Sequence, residues 1–256
     1  MPLRSALNRH RSTGVRIIDG ATEGLAALRR RVMPPSIAGP ASSGKGAPKY
    51  GEFWRPQDES HARQLIFNDA DADGFERSGR VDAERLAPLI RPRDVVLDLG
   101  CGIGRVARYV SPFCETLWAV DASESMLGYA RERLGGLPNV RFARCAGTQI
   151  PDVADDSVDV VYSLITLQHL EREDAFALLR DVRRVLRPGG SAYITFPNLL
   201  TDPYLDAFLA YVEGGEVANP ARARFYTPEE VGRLLPAAGF AIDRLEPGVE
   251  IVVVCT

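Results

Sequence analysis

Short apolar runs of four to seven residues alternate along this chain with longer segments in which apolar residues recur at helical spacing. Runs of this length are typical of strands that are buried on both faces of a parallel sheet. The segments between them are long enough for the helical crossovers that join parallel strands. The pattern therefore predicts a doubly wound α/β fold with helices on both faces of the sheet and strands at Val95–Leu99, Thr116–Val120, Val140–Ala143, Val158–Leu164 and Ser191–Phe196.

The last two apolar runs, Ala241–Leu245 and Glu250–Cys255, differ from the others because only residues 246–249 separate them. A parallel crossover needs a dozen or more residues. The two runs are therefore predicted to form an antiparallel hairpin at the end of a mostly parallel sheet.

Three helix boundaries are marked by capping residues or helix breakers. The segment Thr227–Glu230, with the sequence TPEE, is a capping box with proline in the first helical position, so a helix is expected to run from there to about Ala238. Asp202 is expected to cap another helix, whose first residue is Pro203. The sequence RPGG at 187–190 should end a helix that carries an apolar stripe of Leu178, Leu179, Val182, Val185 and Leu186.

The first 49 residues differ from the rest of the chain in charge and composition. They contain nine Lys or Arg residues against Asp19 and Glu23, a net charge of +7, which leaves −10 for the remainder of a chain whose total is −3. Glycine, proline and serine dominate residues 34–49, a composition that does not support regular structure. We therefore expect residues 1–49 to be a basic, flexible extension with a linker, followed by one domain at residues 50–256.

Several classes of protein are disfavoured by the composition. No apolar run approaches the roughly 18 residues of a membrane-spanning helix, and the first residues lack the apolar core of a secretory signal. The four cysteines show no C-x-x-C spacing and have mostly apolar neighbours, which favours buried thiols in the cytoplasm and argues against disulfides or a zinc site. An acidic domain does not attract a polyanion, so nucleic acid is not the expected substrate.

The clearest chemical signature is the segment 94–107, DVVLDLGCGIGRVA, in which a buried strand runs directly into glycines. Gly100, Gly102 and Gly104 remove the Cβ atoms from this strand-to-helix turn, so its backbone can lie close against a ligand. Asp98 places a carboxylate at the carboxyl end of the strand, where it would repel phosphate and hold an ammonium group. The same glycines also satisfy the dinucleotide pattern GxGxxA, so a nicotinamide-dependent oxidoreductase remains an alternative.

In these residues the chain resembles the class I S-adenosylmethionine-dependent methyltransferases, whose first motif, (D/E)xGxGxG, is matched by Asp98 and the three glycines. Three later segments, AGTQIPDVADDSVDVVYSLITLQHL, RVLRPGGSAYITF and RFYTPEEVGRLLPAAGF, are similar in order and spacing to later blocks of small-molecule members of this class. The resemblance covers roughly residues 94–245. It implies a seven-stranded sheet that ends in an antiparallel hairpin, and S-adenosylmethionine as the cofactor.

The resemblance also implies roles for the matching residues. Asp98 and the backbone of Gly100 would hold the methionine part of the cofactor, and Asp121 would bind the ribose hydroxyls. Met126 would flank the adenine, although it also fits ordinary core packing. Where the family often has an acid that meets the adenine amino group, this chain has Ala146, so backbone groups would take over that contact. The other positions expected at the cofactor are Cys101, Gly102, Ala122, Gly147, Thr148, Ser163 and Leu164.

Candidates for catalysis and acceptor binding are fewer. His169 follows the fourth strand and is the candidate general base, although it also fits a structural role in its loop. Arg105 fits either a pair with an acidic group of the substrate or an exposed position at a helix start. Tyr50, Trp54 and Tyr226 fit either a lid over the cavity or core packing.

We therefore expect a cytoplasmic enzyme that methylates an oxygen, nitrogen or carbon atom of a small molecule such as a sugar or a secondary metabolite. The sequence leaves three alternatives open: a nicotinamide-dependent oxidoreductase, a protein or nucleic-acid methyltransferase guided by the basic residues 1–49, and a binding module without catalysis. No motif identifies the acceptor.

Overall fold

The computed structural model describes residues 50–67, 72–146, 148–215 and 222–256, which contain one seven-stranded sheet. Its strands are β1 (Val95–Leu99), β2 (Thr116–Asp121), β3 (Val140–Arg144), β4 (Val158–Ser163), β5 (Leu186–Pro197), β6 (Ile242–Pro247) and β7 (Glu250–Cys255). They lie in the order β3-β2-β1-β4-β5-β7-β6. Strands β1 to β5 pair in parallel, whereas β7 pairs antiparallel with both β5 and β6. The predicted doubly wound sheet with its C-terminal hairpin is confirmed.

Helices cover both faces of this sheet, as predicted. On one face, Leu179 and Leu235 pack into a core with β1 and β4. On the other face, Leu86, Val110 and Leu127 form a second core with the same strands. The described helices are α1 (Tyr50–Phe53), α2 (Glu59–Ile66), α3 (Ala72–Leu86), α4 (Ala107–Val110), α5 (Glu124–Leu134), α6 (Arg172–Val185), α7 (Asp202–Glu213) and α8 (Pro228–Ala237). None of them is both long enough and apolar enough to cross a membrane.

The segment 187–190 behaves differently from the prediction. It ends α6 as expected, but it already belongs to β5, which begins at Leu186. The register between β4 and β5 shifts across this segment, and Gly189 has a φ of 79°, a left-handed value that suits glycine. The segment is therefore a bulge within an early-starting strand.

The two capping predictions have different outcomes. The Thr227 hydroxyl accepts a hydrogen bond from the Glu230 N–H at 3.2 Å, so the predicted helix start with Thr227 as its cap is confirmed, while the Glu230 carboxylate pairs with Arg172. In contrast, the residue that caps α7 is Thr201, and Asp202 is already the first helical residue. The hydroxyl of Thr201 donates to the Asn198 carbonyl at 2.8 Å, so this side chain bonds to the loop that precedes α7.

The segment 50–67 lies over the end of the sheet that carries the glycine turn. A Cβ atom at Gly51 would lie 2.0 Å from the carbonyl oxygen of Ala122, so α1 approaches the residue after β2 backbone to backbone. The Ser123 hydroxyl donates a hydrogen bond to the Trp54 carbonyl. The predicted basic extension, residues 1–49, lies outside the described residues.

Two glycines inside helices are expected to respond oppositely to alanine. At Gly79 in α3, a Cβ atom would lie 2.3 Å from the Arg105 carbonyl oxygen, whereas at Gly128 in α5 it would meet nothing within 4 Å. Gly79→Ala should lower the free energy of unfolding by about 1–3 kcal/mol because α3 and α4 must move apart. Gly128→Ala should raise it by about 0.5–1 kcal/mol through helix propensity. Urea denaturation measures both, and equal effects at the two sites would contradict this packing.

Candidate functional site

A cavity opens at the carboxyl ends of β1, β2 and β4. Its volume is about 1250 Å³, including the open space at its mouth. Strand order reverses at β1, since β2 lies on one side of it and β4 on the other. Open α/β sheets bind ligands at this kind of switch point. Of the residues expected at the cofactor or in catalysis, the cavity is lined by Asp98, Gly100, Cys101, Gly102, Asp121, Ala122, Met126, Leu164 and His169.

The glycine turn is shaped by its own neighbours as well as by the cavity. Gly100 and Gly102 have φ angles of 81° and 55°. A Cβ atom at Gly100 would lie 2.1 Å from the hydroxyl oxygen of Thr166, and one at Gly102 would lie 2.5 Å from the side chain of Ile66. The protein's own side chains therefore require these glycines as well, in addition to any ligand that lies against the turn.

Strand β2 holds the turn in place by accepting hydrogen bonds from backbone N–H groups of the turn. The Val120 carbonyl accepts hydrogen bonds from the N–H groups of Gly100 and Cys101, at 2.8 and 2.9 Å. The Asp121 carboxylate accepts from the N–H groups of Gly102 and Ser123, at 2.9 and 2.8 Å. Burial raises the pKa of Asp121, and these backbone N–H donors oppose that rise. Asp121 therefore fixes the turn and faces the cavity at the same time.

Asp98 is a buried acid whose charge is poorly compensated by the protein. Its side chain lies at the end of β1 with only 4 % of the residue exposed. Burial raises the pKa of Asp98 to about 7, although the Tyr162 hydroxyl and the Arg105 guanidinium lower it in part. A cation bound beside Asp98 would supply the missing compensation.

Several residues expected at the cofactor do not line this cavity. The Ser163 hydroxyl donates to the Leu99 carbonyl at 3.1 Å, a bond that ties β4 to β1. The Ala146 N–H donates to the Gln149 carbonyl at 2.8 Å, so the loop after β3 uses this backbone group itself. Thr148 also lies outside the lining, and Gly147 is not among the described residues. Cys145, the first residue after β3, lies at the cavity instead.

His169 lies in a single turn of 3-10 helix at the cavity wall. Its ring packs edge-on against the Trp54 indole, with 4.9 Å between ring centroids. Its carbonyl accepts a hydrogen bond from the Arg224 guanidinium at 3.2 Å, and the Gln168 carbonyl accepts from the Arg224 backbone N–H at 2.7 Å. Arg224 also forms an ion pair with Glu171. No sequence signal pointed to Arg224, which fixes the histidine from 55 residues further along the chain.

The three aromatic candidates divide between the segment 50–67, which we call the lid, and the core. Tyr50 and Trp54 line the cavity, whereas Tyr226 is buried against Phe196 and lies outside the lining. The Tyr50 hydroxyl donates to the Asp174 carboxylate at 2.5 Å and accepts from the Glu171 N–H at 3.1 Å. Burial and the bond to Asp174 raise the pKa of Tyr50. The tyrosine therefore fastens α1 to α6 across the mouth of the cavity.

The Arg105 side chain is buried and already has an acidic partner within the protein. Its guanidinium lies 2.8 Å from the Asp82 carboxylate, and both side chains are about 95 % buried, with exposures of 5 % and 4 %. A second bond of 3.1 Å joins it to the Ser78 hydroxyl. The prediction of an exposed Arg105 is therefore wrong, and its partner lies in α3, which carried no recognisable motif.

Backbone strain marks the wall of the cavity after β4. Ile165 has a φ of 58°, a value that is unfavourable for a β-branched residue. Its N–H donates to the Thr195 hydroxyl at 3.3 Å. Residues held in such conformations cluster at functional sites. The strain therefore supports a binding role for this wall.

Comparison with known proteins agrees with this geometry. Residues 96–190 match the family model described as a methyltransferase domain. A probable S-adenosylmethionine-dependent methyltransferase of Mycobacterium tuberculosis, Rv3030, is 32 % identical over 165 residues, which cover 64 % of this chain and 54 % of that protein. The phosphoethanolamine N-methyltransferase 1 of Arabidopsis thaliana is 37 % identical over 171 residues, which cover 64 % of this chain and 33 % of that enzyme. The chain spans about half the length, or less, of these relatives.

Solved structures show the same fold. The YcgJ protein of Bacillus subtilis aligns with a TM-score of 0.54 and 25 % identity, covering 66 % of this chain and 71 % of that one. A SAM-dependent methyltransferase from Aquifex aeolicus aligns with a TM-score of 0.58 and 23 % identity, covering 77 % and 97 %. Residues 96–190 therefore match a methyltransferase domain, and the chain shares its fold with solved methyltransferases. This similarity favours a methyltransferase over a nicotinamide-dependent oxidoreductase.

The raised pKa of Asp98 predicts a pH-dependent cost of folding. An unfolded aspartate ionises near pH 4, so between about pH 4 and pH 7 the folded chain binds the extra proton. The free energy of unfolding of the wild type should therefore fall as the pH rises from about 4 to about 7. Asp98→Asn removes this titration. The free energy of unfolding of the variant, relative to wild type, should rise by about 2–4 kcal/mol from pH 4.5 to pH 8. Urea denaturation at several pH values tests this.

Asp152→Asn is the matched control because Asp152 is exposed and does not line the cavity. Its stability relative to wild type should not change with pH in the same way. A pH-independent difference between wild type and Asp98→Asn would contradict the assignment of a buried, poorly compensated carboxylate.

Proposed function

We propose that this chain transfers a methyl group from S-adenosylmethionine to an oxygen, nitrogen or carbon atom of a small molecule. The observation that carries the proposal is the buried Asp98 carboxylate beside the glycine turn, facing a cavity that also contains the Asp121 carboxylate. The two acids match the two groups of the cofactor that donate hydrogen bonds most strongly, the ammonium and the ribose diol.

The residues at the cavity fit the cofactor part by part. Asp98 would pair with the ammonium group, and the carbonyl of Gly100 lies at the same turn. Each Asp121 oxygen accepts one backbone N–H and retains lone-pair capacity for a ribose hydroxyl. Met126 and Cys145 offer a soft apolar surface to the adenine.

Methyl transfer requires alignment more than covalent participation by the protein. When bound, S-adenosylmethionine supplies an electrophilic methyl group on a positively charged sulfur, which becomes a neutral thioether as the acceptor–carbon bond forms. Trp54 and Ile66 cover the glycine turn from the lid and exclude water. His169 would accept the proton that the acceptor loses, and Arg224 holds the backbone of that histidine.

Charge and cysteine chemistry support a small acceptor and a cytoplasmic location. Residues 50–256 carry a net charge of −10, which does not attract nucleic acid. All four cysteines are buried, and none of them is in a disulfide in the described structure. Two relatives bear the names malonyl-[acyl-carrier protein] O-methyltransferase and phosphoethanolamine N-methyltransferase 1, so related domains occur in enzymes named for both oxygen and nitrogen methylation.

Calorimetry with S-adenosylhomocysteine tests the cofactor assignment. Wild-type protein at pH 8 should bind it, and Asp98→Asn should bind at least about 10-fold more weakly because the charge-assisted hydrogen bond is lost. Asp152→Asn should bind like wild type. Tight binding of NADPH together with no binding of S-adenosylhomocysteine would refute the proposal.

Identification of the acceptor allows a test of His169. Cell extract incubated with the full chain and a labelled methyl donor should yield a small labelled product that mass spectrometry can identify. With that acceptor, His169→Gln should lower kcat by about 100-fold or more if the imidazole is the general base, with unchanged affinity for S-adenosylhomocysteine. His61→Gln, which removes a histidine outside the cavity lining, is the control. Label found only in protein or nucleic acid would favour the alternative guided by residues 1–49.

A further inference from the structure

Among the described residues, one Lys or Arg side chain lines the cavity, Arg105, and that charge is already paired. Asp82 lies 2.8 Å from its guanidinium, with both side chains almost fully buried. The segments 68–71, 147 and 216–221, which interrupt the described domain, contain no Lys or Arg. The cavity therefore has no unpaired Lys or Arg from the described part of the chain.

The ion pair lies beside the wall that follows β4. Leu164 and Ile165 line the cavity, and the same two residues line a small neighbouring recess that contains Asp82. Arg105 itself faces the cavity. The buried pair thus lies between the cavity, which Arg105 lines, and the recess, which Asp82 lines, beside the wall in which Ile165 is strained.

The remaining surface of the lid and of the loop after β4 is apolar or uncharged. Trp54, Leu65 and Ile66 contribute from the lid, and Ile165 from the loop. The Thr166 hydroxyl is used in a 3.1 Å hydrogen bond to the Leu164 carbonyl. An anionic acceptor would lose its hydration on entering this space, and no unpaired Lys or Arg of the described residues would compensate for that loss.

We propose that Asp82 sets the charge preference of this cavity by cancelling the charge of Arg105, so that the methyl acceptor carries no anionic group and has a largely apolar or aromatic body. The proposal rests on the proposed methyl transfer and adds the substrate class. A phosphate group could recruit Arg105 only by displacing Asp82, which would break a buried ion pair. The acceptor therefore differs in kind from the phosphorylated acceptor in the name of the Arabidopsis relative.

A matched pair of fluorescent probes tests this proposal. The full-length protein, saturated with S-adenosylhomocysteine, is titrated with 2-naphthol and with 2-naphthyl phosphate. Wild type should bind 2-naphthol at least 10-fold more tightly than the phosphate ester. Asp82→Asn leaves the charge of Arg105 unpaired, so affinity for the ester should rise at least 10-fold while affinity for 2-naphthol stays within a factor of three. Equal or tighter binding of the ester by wild type, or no binding of 2-naphthol, would overturn the proposal.

A second variant covers the case in which Asp82→Asn fails to fold with an unpaired buried arginine. Gln64 is exposed on α2 and lines the cavity, so Gln64→Arg adds an unpaired guanidinium without touching the ion pair. Affinity for the ester should again rise at least 10-fold, whereas Gln64→Leu, the uncharged control, should not change it. An unchanged ester affinity in Gln64→Arg would contradict the role assigned to charge.

Two controls keep this inference distinct from the proposed function. Calorimetry with S-adenosylhomocysteine alone reports the cofactor site, and the probe titrations are repeated without it. If S-adenosylhomocysteine does not bind but the preference for 2-naphthol persists, the methyltransferase proposal fails alone. If S-adenosylhomocysteine binds and Asp82→Asn raises the affinity for that ligand alone, Arg105 serves the cofactor. The acceptor inference is then overturned.

Discussion

Asp98 places a carboxylate with almost no solvent contact at the end of the central strand, immediately before the glycine turn. A charge in that position is unfavourable unless a cation meets it, which is why burial raises its pKa to about 7. The rest of the site is arranged around this residue. The carbonyl of Val120 anchors the turn, and the Asp121 carboxylate both orders the turn and faces the cavity. The protein thus carries a folding cost that binding of a suitable cation would offset.

The cavity is closed by long-range bonds that tie unrelated segments together. Tyr50 joins the lid to α6, and Arg224 joins the segment before α8 to the backbone of His169. Ile66 and Thr166 occupy the space that side chains at Gly102 and Gly100 would need. The two glycines thus let the lid and the loop after β4 pack directly on the turn, and the cavity and its walls depend on the same residues.

The sheet was predictable from the sequence because its strands are continuous apolar runs and because the last connection is too short for a crossover. The turn formed by Asp98 and the glycines was predictable because all of its residues are neighbours along the chain. Other features depend on partners that are distant in sequence. Nothing in the residues around Arg105 shows that Asp82 pairs with it, and nothing near His169 indicates Arg224. The early start of β5 likewise depends on how Gly189 bulges against β4, and not on the breaker residues alone.

Proton release on binding of S-adenosylhomocysteine tests the central claim most directly. If the ammonium group pairs with Asp98, binding must displace the proton that this carboxyl holds below pH 7. Calorimetry in buffers of different ionisation enthalpy should therefore show a release that approaches one proton per site at pH 6, declines towards zero by pH 8, and is absent in Asp98→Asn. Binding without proton release at pH 6, or the same release in the variant, would contradict the account.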